Sequence, residues 1–313
     1  MQIRSIVVWT DGSIAGDSAV DRAAQSAARL GAAFTVALAP LMGDKQQRRL
    51  RPRVARRVRQ LGRQHGVALG AVQAAPASWA EAWTMAATAD LLVLPAPWRA
   101  GCSRLWQPGL VDRALRHADC ALLVVRQPAS VAWGRAVAAV DLGARSPALL
   151  AVAGRLGGDL PFELLHVLPG LPRRGLGLRA APLGLRGPAS AHQLHAESEL
   201  AQLAARSSSW GLAAARPMLA SGDTASAIFV HQQQAQARLA VLGHARRSSL
   251  LAALFGSVAS TVAHRAACDV LVVPDAWLDR WAGLGAVRRV EKEKKEEGGF
   301  ASLRPNGDWA STG

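Results

Sequence analysis

The feature that most restricts this chain is that it repeats itself. ADLLVLPAPW and RALRHADCALLVV in the first half are answered by ARLAVLGHAR and TVAHRAACDVLVV in the second. Pro95 matches Gly243 and Cys120 matches Cys268 at one common offset. Earlier in each half, RSIVVWTDGSIAGDSAVDRAAQSAARLG parallels GRAVAAVDLGARSPALLAVAGRLGG. Each is an apolar run ending in Asp, a Gly turn, and a segment of helical period closed by Gly. A match of this length is duplication of a whole domain, not a short solenoid unit. The 313 residues suffice for two such domains.

Within each half, strand and helix patterns alternate. Strands are expected at 3–10, 33–40, 67–73, 90–95 and 121–126, then at 135–141, 162–168, 212–218, 238–243 and 269–273. In the first half the intervening helices are expected at 13–30, 47–65, 77–88 and 109–117. The strands are near-continuous apolar runs such as LLVLP and VLVVP. That pattern belongs to parallel strands covered on both faces. The expected fold class is therefore α/β: two doubly wound, flavodoxin-like parallel sheets of five strands each, in the order 3-2-1-4-5. The expected domains are 1–128 and 131–278, with 281–313 a disordered, charged tail. Ser146-Pro147 reads as a helix N-cap followed by Pro at the first helical position. Ser190 with Gln193 reads as a capping box. Residues 169–189, rich in Gly, Pro and Arg, read as a long loop.

In such a sheet the chain reverses direction beside its first strand, and ligands bind at the carboxyl ends of the strands there. The loops after strands one and four meet at that crevice. In the second half they bring Asp141 opposite the segment 243–257. Gly256-Ser257 opens the next helix, whose free N–H groups favour phosphate. A carboxylate at Asp141 suits the adenine or ribose side.

These residues give the chain a family. It resembles a tandem universal stress protein, with two such domains in one polypeptide, over roughly residues 1–275. The resemblance rests on VVWTDGS, on LLHVLP at 164–169 and on the repeated endings HADCALLVV and RAACDVLVV. Members that bind ATP carry a loop of Gly, two residues, Gly, nine residues, then Gly and Ser or Thr. Here those positions fall on Gly243, Arg246, Gly256 and Ser257. Arg246 departs from the pattern. It gives up the close backbone approach that glycine allows and adds a guanidinium that can pair with phosphate. The resemblance implies a nucleotide site of Val140, Asp141, Gly243, Arg246, Arg247, Gly256, Ser257 and Val258. It implies ATP or a related adenine nucleotide as ligand, in the second half alone, with no metal specified and binding in place of rapid turnover. It also places the contact between the halves at Leu122–Val125 and Val270–Val273, the last strand of each. A further homodimer, acting on protein partners, is compatible with it. A nucleotide-free protein of the same fold, its site filled by Arg246, is the alternative.

The first half keeps Asp11, but its loop reads LPAPWRAGCSRLWQPGL. Pro95, Trp98 and Pro108 stand at the three glycine positions. The prolines remove backbone donors, so this half is expected not to bind ATP. Trp98 and Trp106 either fill the nucleotide's place or pack beneath the loop.

Other candidates are weaker. Gly175, Gly177 and Ala180 fit a loose dinucleotide pattern but lack the strand and helix it requires. His192, His195 and Glu199 share a helix face without a second cluster to complete a metal site. Cys120 and Cys268 read as buried small residues, and nothing marks Cys102 as reactive beyond Arg99 and Arg104. No Ser-His-Asp or Cys-His group has the context catalysis needs. The net charge of +15 is almost all arginine, eight of them in RRLRPRVARRVRQLGR at 48–63. Leu50, Val54, Val58 and Leu61 form one buried stripe there. A basic nucleic-acid binder using Arg56, Arg57 and Arg59 of this helix is the third and least favoured reading; the other face reads as solvated, since base-stacking aromatics are lacking. Three widely spaced Cys suit a reducing compartment. The N-terminus lacks the apolar core of a signal peptide, and no apolar run is long enough to span a membrane. A cytoplasmic location is expected.

Overall fold

A computed structural model describes residues 2–67, 72–96, 109–169, 191–245 and 258–282. Ser190, Cys102, the dinucleotide-like glycines, the Gly/Pro/Arg-rich loop from 170 and the charged tail from 283 lie outside these residues; Pro169, expected in the loop, ends a strand, and 281–282, expected in the tail, end a helix.

The expected pair of five-stranded sheets is replaced by one sheet of nine strands, ordered β2-β1-β3-β4-β9-β8-β5-β6-β7. Its first-half strands are β1 Ser5–Thr10, β2 Ala33–Leu38, β3 Leu91–Pro95 and β4 Ala121–Val125. The second half supplies β5 Ala136–Ala139, β6 Pro161–Pro169, β7 Ala214–Gly222, β8 Leu239–His244 and β9 Asp269–Pro274. All neighbours pair in parallel except β4 and β9, which run antiparallel with Leu122 opposite Val272 and Val124 opposite Val270. The two last strands thus join the halves, and neither is left as an open edge. Because that junction is antiparallel, the carboxyl ends of the two sets of strands lie at opposite edges of the sheet.

The expected strand at 67–73 does not form among the described residues. Gln73 makes a single bridge to Ala37 beyond β2. The ladder stops there because the Ala75 N–H donates to the Gln47 side chain, 3.0 Å away, and Pro76 follows.

Nine helices cover the sheet among the described residues. They are α1 Ile14–Leu30, α2 Asp44–His65, α3 Trp79–Ala87, α4 Leu110–His117, α5 Ser146–Gly157, α6 Ala191–Ala205, α7 Thr224–Gln234, α8 Val258–Arg265 and α9 Asp275–Ala282. Ser13, Ser78 and Asp223 cap α1, α3 and α7 with their side-chain oxygens. Ser146 is not the cap expected of it. It is the first residue of α5, Arg145 stands at the N-cap, and the Ser146 hydroxyl donates to Asp141 Oδ1 at 3.0 Å. The carboxylate of the preceding turn has captured it.

The central strands β3, β4 and β9 are buried along their whole length, which explains their unbroken apolar sequences. Cys120 and Cys268 lie in this core, where burial pushes both thiols up to about 12 and leaves them inert.

A polar knot also ties the halves. Asp269, fully buried, accepts from the Arg126 and Gln127 N–H groups at 2.7 and 3.0 Å and from Trp133 Nε1 at 2.8 Å. Arg22 Nε of α1 lies 3.0 Å from Oδ2, the oxygen that Trp133 also reaches, and the guanidinium sits over the Trp133 ring. On the far side, Asp112 of α4 accepts from the Ser260 hydroxyl at 2.6 Å and meets His264 of α8 at 3.0 Å. Partial burial raises the Asp112 pKa, but bonds from Ser260 and His264 outweigh it and hold the carboxyl below its usual value. A depressed carboxylate pKa stabilises the fold above the unfolded-state value of about 3.9, and this is lost as pH falls through the folded value. Asp112→Asn is therefore expected to flatten the acid limb of stability, measured by urea unfolding between about pH 5 and pH 3. An unchanged limb would mean that the bridge carries no charge-dependent stability.

Candidate functional site

The second-half crevice is built by adjacent strands. β5 and β8 pair with Ala139 opposite Leu242, so Val140-Asp141, which follow β5, emerge at the carboxyl edge beside Gly243, which is still paired with Val273 of β9. Val140 is buried and tied on both sides: its N–H donates to Leu165 O at 2.9 Å and its carbonyl meets His166 Nδ1 at 2.8 Å. Asp141 follows and is exposed. Its Oδ1 accepts from the Gly143 N–H at 2.9 Å and from Ser146, and neither bond uses Oδ2. Leu142 between them has φ +60°, a left-handed conformation that side chains rarely adopt. Strain of this kind collects at ligand-binding turns.

Gly243 is exposed, and among the described residues a Cβ there would meet only Asp275 Oδ1, 3.8 Å away. Val258, the first residue of α8, is also exposed. The structure thus brings Val140, Asp141 and Gly243 together. Arg246, Arg247, Gly256 and Ser257 lie outside the described residues.

The sequence reading missed a set of charges on this rim. Arg145, one step from α5, reaches the start of α9. Its Nε and Nη2 bind both oxygens of Asp279 at 2.7 and 2.9 Å, and its Nη1 binds Asp275 at 2.9 Å. The bond to Asp279, with the charges of Asp275 and Asp141, raises the Arg145 pKa. Burial raises the Asp275 carboxyl pKa above its usual value; Asp141 and Asp279 push it the same way, and Arg145 and His244 oppose them. α9 is held down by Trp277 and Leu278, both buried. The signal available in sequence was Asp275 and Asp279 four residues apart, on one helical face.

The first-half counterpart holds its carboxylate differently. Asp11 is buried at 4% exposure and accepts from the Ser13 N–H at 2.9 Å. α1 presses on it: a Cβ on Gly16 would lie 2.7 Å from Asp11 Oδ1 and 2.6 Å from Thr10 Oγ1. Pro95 ends β3, and Trp98, Trp106 and Pro108 lie outside the described residues.

His195 pairs with Glu199 at 3.3 Å on an exposed helix face. Among the described residues no group of three or more His, Cys, Asp or Glu could hold a metal ion. Nor is any helix among them long and apolar enough to cross a membrane.

Comparison with known proteins places this geometry. A universal stress protein from Archaeoglobus fulgidus DSM 4304 superposes at a TM-score of 0.65 with 14% identity, over 88% of this chain and 99% of that one. One from Pseudomonas aeruginosa UCBPP-PA14 superposes at 0.60 with 19% identity, over 91% and 98%. A single-domain match from Archaeoglobus fulgidus, solved in complex with dAMP, has 20% identity and a TM-score of 0.32, over 46% and 99%. No curated protein matches the sequence significantly. The family model described as the universal stress protein family matches twice, at residues 2–126 and 133–274. This chain belongs to the universal stress protein family, with two such domains in tandem.

Proposed function

We propose that the second half binds ATP or a related adenine nucleotide, and that the protein acts as a cytoplasmic stress-response regulator through binding, without appreciable turnover. The observation that carries this is the emergence of Asp141 beside Gly243 at one carboxyl edge. Fold placement puts ligands at that edge. The residues fit an adenosine. Asp141 offers an exposed carboxylate oxygen, and Gly243 leaves room for close approach of a ring or sugar. The phosphates would lie toward Gly256, Ser257 and Val258, with Arg246 and Arg247 as cations. No residue is assigned to catalysis, and slow hydrolysis would appear as phosphate release.

One observation favours the alternative of a nucleotide-free protein that works through protein contacts, in this copy or as a homodimer. Asp275 and Asp279 give the rim beside Gly243 a negative charge that opposes phosphate, and they already engage Arg145.

Calorimetry with ATP on the full chain decides between them. The expected result is one nucleotide per chain, no binding by Gly256→Trp, and about 10- to 100-fold weaker binding by Asp141→Ala, the worth of a hydrogen bond to a charged group. Absence of binding by the unaltered protein would overturn the proposal and leave the contact-based reading.

A further inference from the structure

The two helices that follow the second strand of each half occupy equivalent places but differ in charge. α2 carries eight arginines and Lys45 against one carboxylate, Asp44. α6 carries no Lys or Arg, and has Glu197 and Glu199. Arginine-rich composition would have marked both helices, so the charge is a property of this one position.

The fold also orients it. Val54, Val58 and Leu61 are buried against the sheet. Arg53 and Arg57, on the flank facing α1, are neutralised by Asp17 and Asp21. Lys45, Arg48, Arg49, Arg56, Arg59 and Arg63 are exposed and have no carboxylate partner among the described residues. At 100° per residue these six fall within about a third of the helix circumference, opposite the buried stripe. From Lys45 to Arg63 they run along about 27 Å. α2 lies beyond β2, the edge strand of the nine-stranded sheet.

We propose that this ridge docks the sugar–phosphate backbone of duplex nucleic acid, without reading its sequence. Guanidinium groups match phosphate oxygens in pairs. A row of that length meets several phosphates. The ridge has no aromatic side chain on which unpaired bases could stack, which argues against single strands. It also has no large apolar side chain to enter a bilayer, which argues against an amphipathic membrane helix. The inference does not depend on nucleotide binding in the second half.

The test is fluorescence anisotropy of a labelled mixed-sequence DNA duplex with the full chain across a salt series. Contact with about five phosphates gives a slope near −4.5 in log K against log salt, or about 500-fold weaker binding from roughly 50 to 200 mM. Replacing Arg48, Arg49, Arg56, Arg59 and Arg63 by Gln, which keeps helix propensity, is expected to abolish binding while leaving thermal unfolding unchanged. Arg53→Gln with Arg57→Gln should keep most of the slope, because those two charges are already spent on Asp17 and Asp21. No duplex binding, equal loss in the two variants, or tighter binding to anionic phosphatidylserine vesicles than to duplex would each overturn the proposal.

Discussion

Asp269→Ala is expected to lower the unfolding free energy by about 3–5 kcal/mol, because it strands a buried guanidinium along with three donors. Arg22 is 3% exposed and Asp269 fully buried. The Arg126, Gln127 and Trp133 N–H groups lose their acceptor in the same step. Desolvation raises the Asp269 carboxyl pKa, with Arg22 the strongest opposing influence. Two charges in that environment need each other more than the fold needs the pair. Hence the double replacement Arg22→Met with Asp269→Leu should recover part of the loss. Chemical denaturation of these two variants beside the unaltered protein measures both effects. A loss below about 1 kcal/mol in Asp269→Ala, the level of an exposed pair, would mean that water reaches the knot.

This knot also marks where sequence reading ran out. The apolar runs at 91–95, 121–125 and 270–274 announced buried parallel strands because every position along them is covered. Their pairing across the halves followed from the family resemblance and not from the runs themselves. Asp269, adjoining one of them, carries no local sign that Arg22, far back in α1, is its partner. The strand at 67–73 was expected from the alternation of apolar runs with helices, and the Gln47 side chain that diverts Ala75 is contributed from another element. Strand β7 runs to Gly222, past the expected 218, since its pairing with β6 continues through small and polar residues. The candidate site divides in the same way. Asp141 and Gly243 were legible because each ends an expected strand. Arg145 was not, because its role depends on α9 folding back over the edge.

Gly154→Ala sets helix propensity against packing, and packing is expected to win. Within α5, Ala is about 1 kcal/mol better than Gly. But a Cβ at Gly154 would lie 2.4 Å from the Trp210 carbonyl oxygen and 2.9 Å from the Gly211 carbonyl carbon. Both are backbone atoms, so no side-chain rotation relieves the clash. Overpacking costs about 1–3 kcal/mol when side chains can adjust, and this contact exceeds that range. The net expectation is a loss above about 2 kcal/mol, read by urea unfolding, since the clash outruns the propensity gain. The first turn of α5 holds Asp141 through Ser146 and holds α9 through Arg145. A helix pushed away from the 3-10 turn Ser207–Trp210 carries its own first turn, with Ser146 and Arg145, out of place. Nucleotide affinity, if the proposed site is right, should fall along with stability, whereas a gain in stability would show that α5 is free to move and that the close approach at Gly154 is not what fixes it.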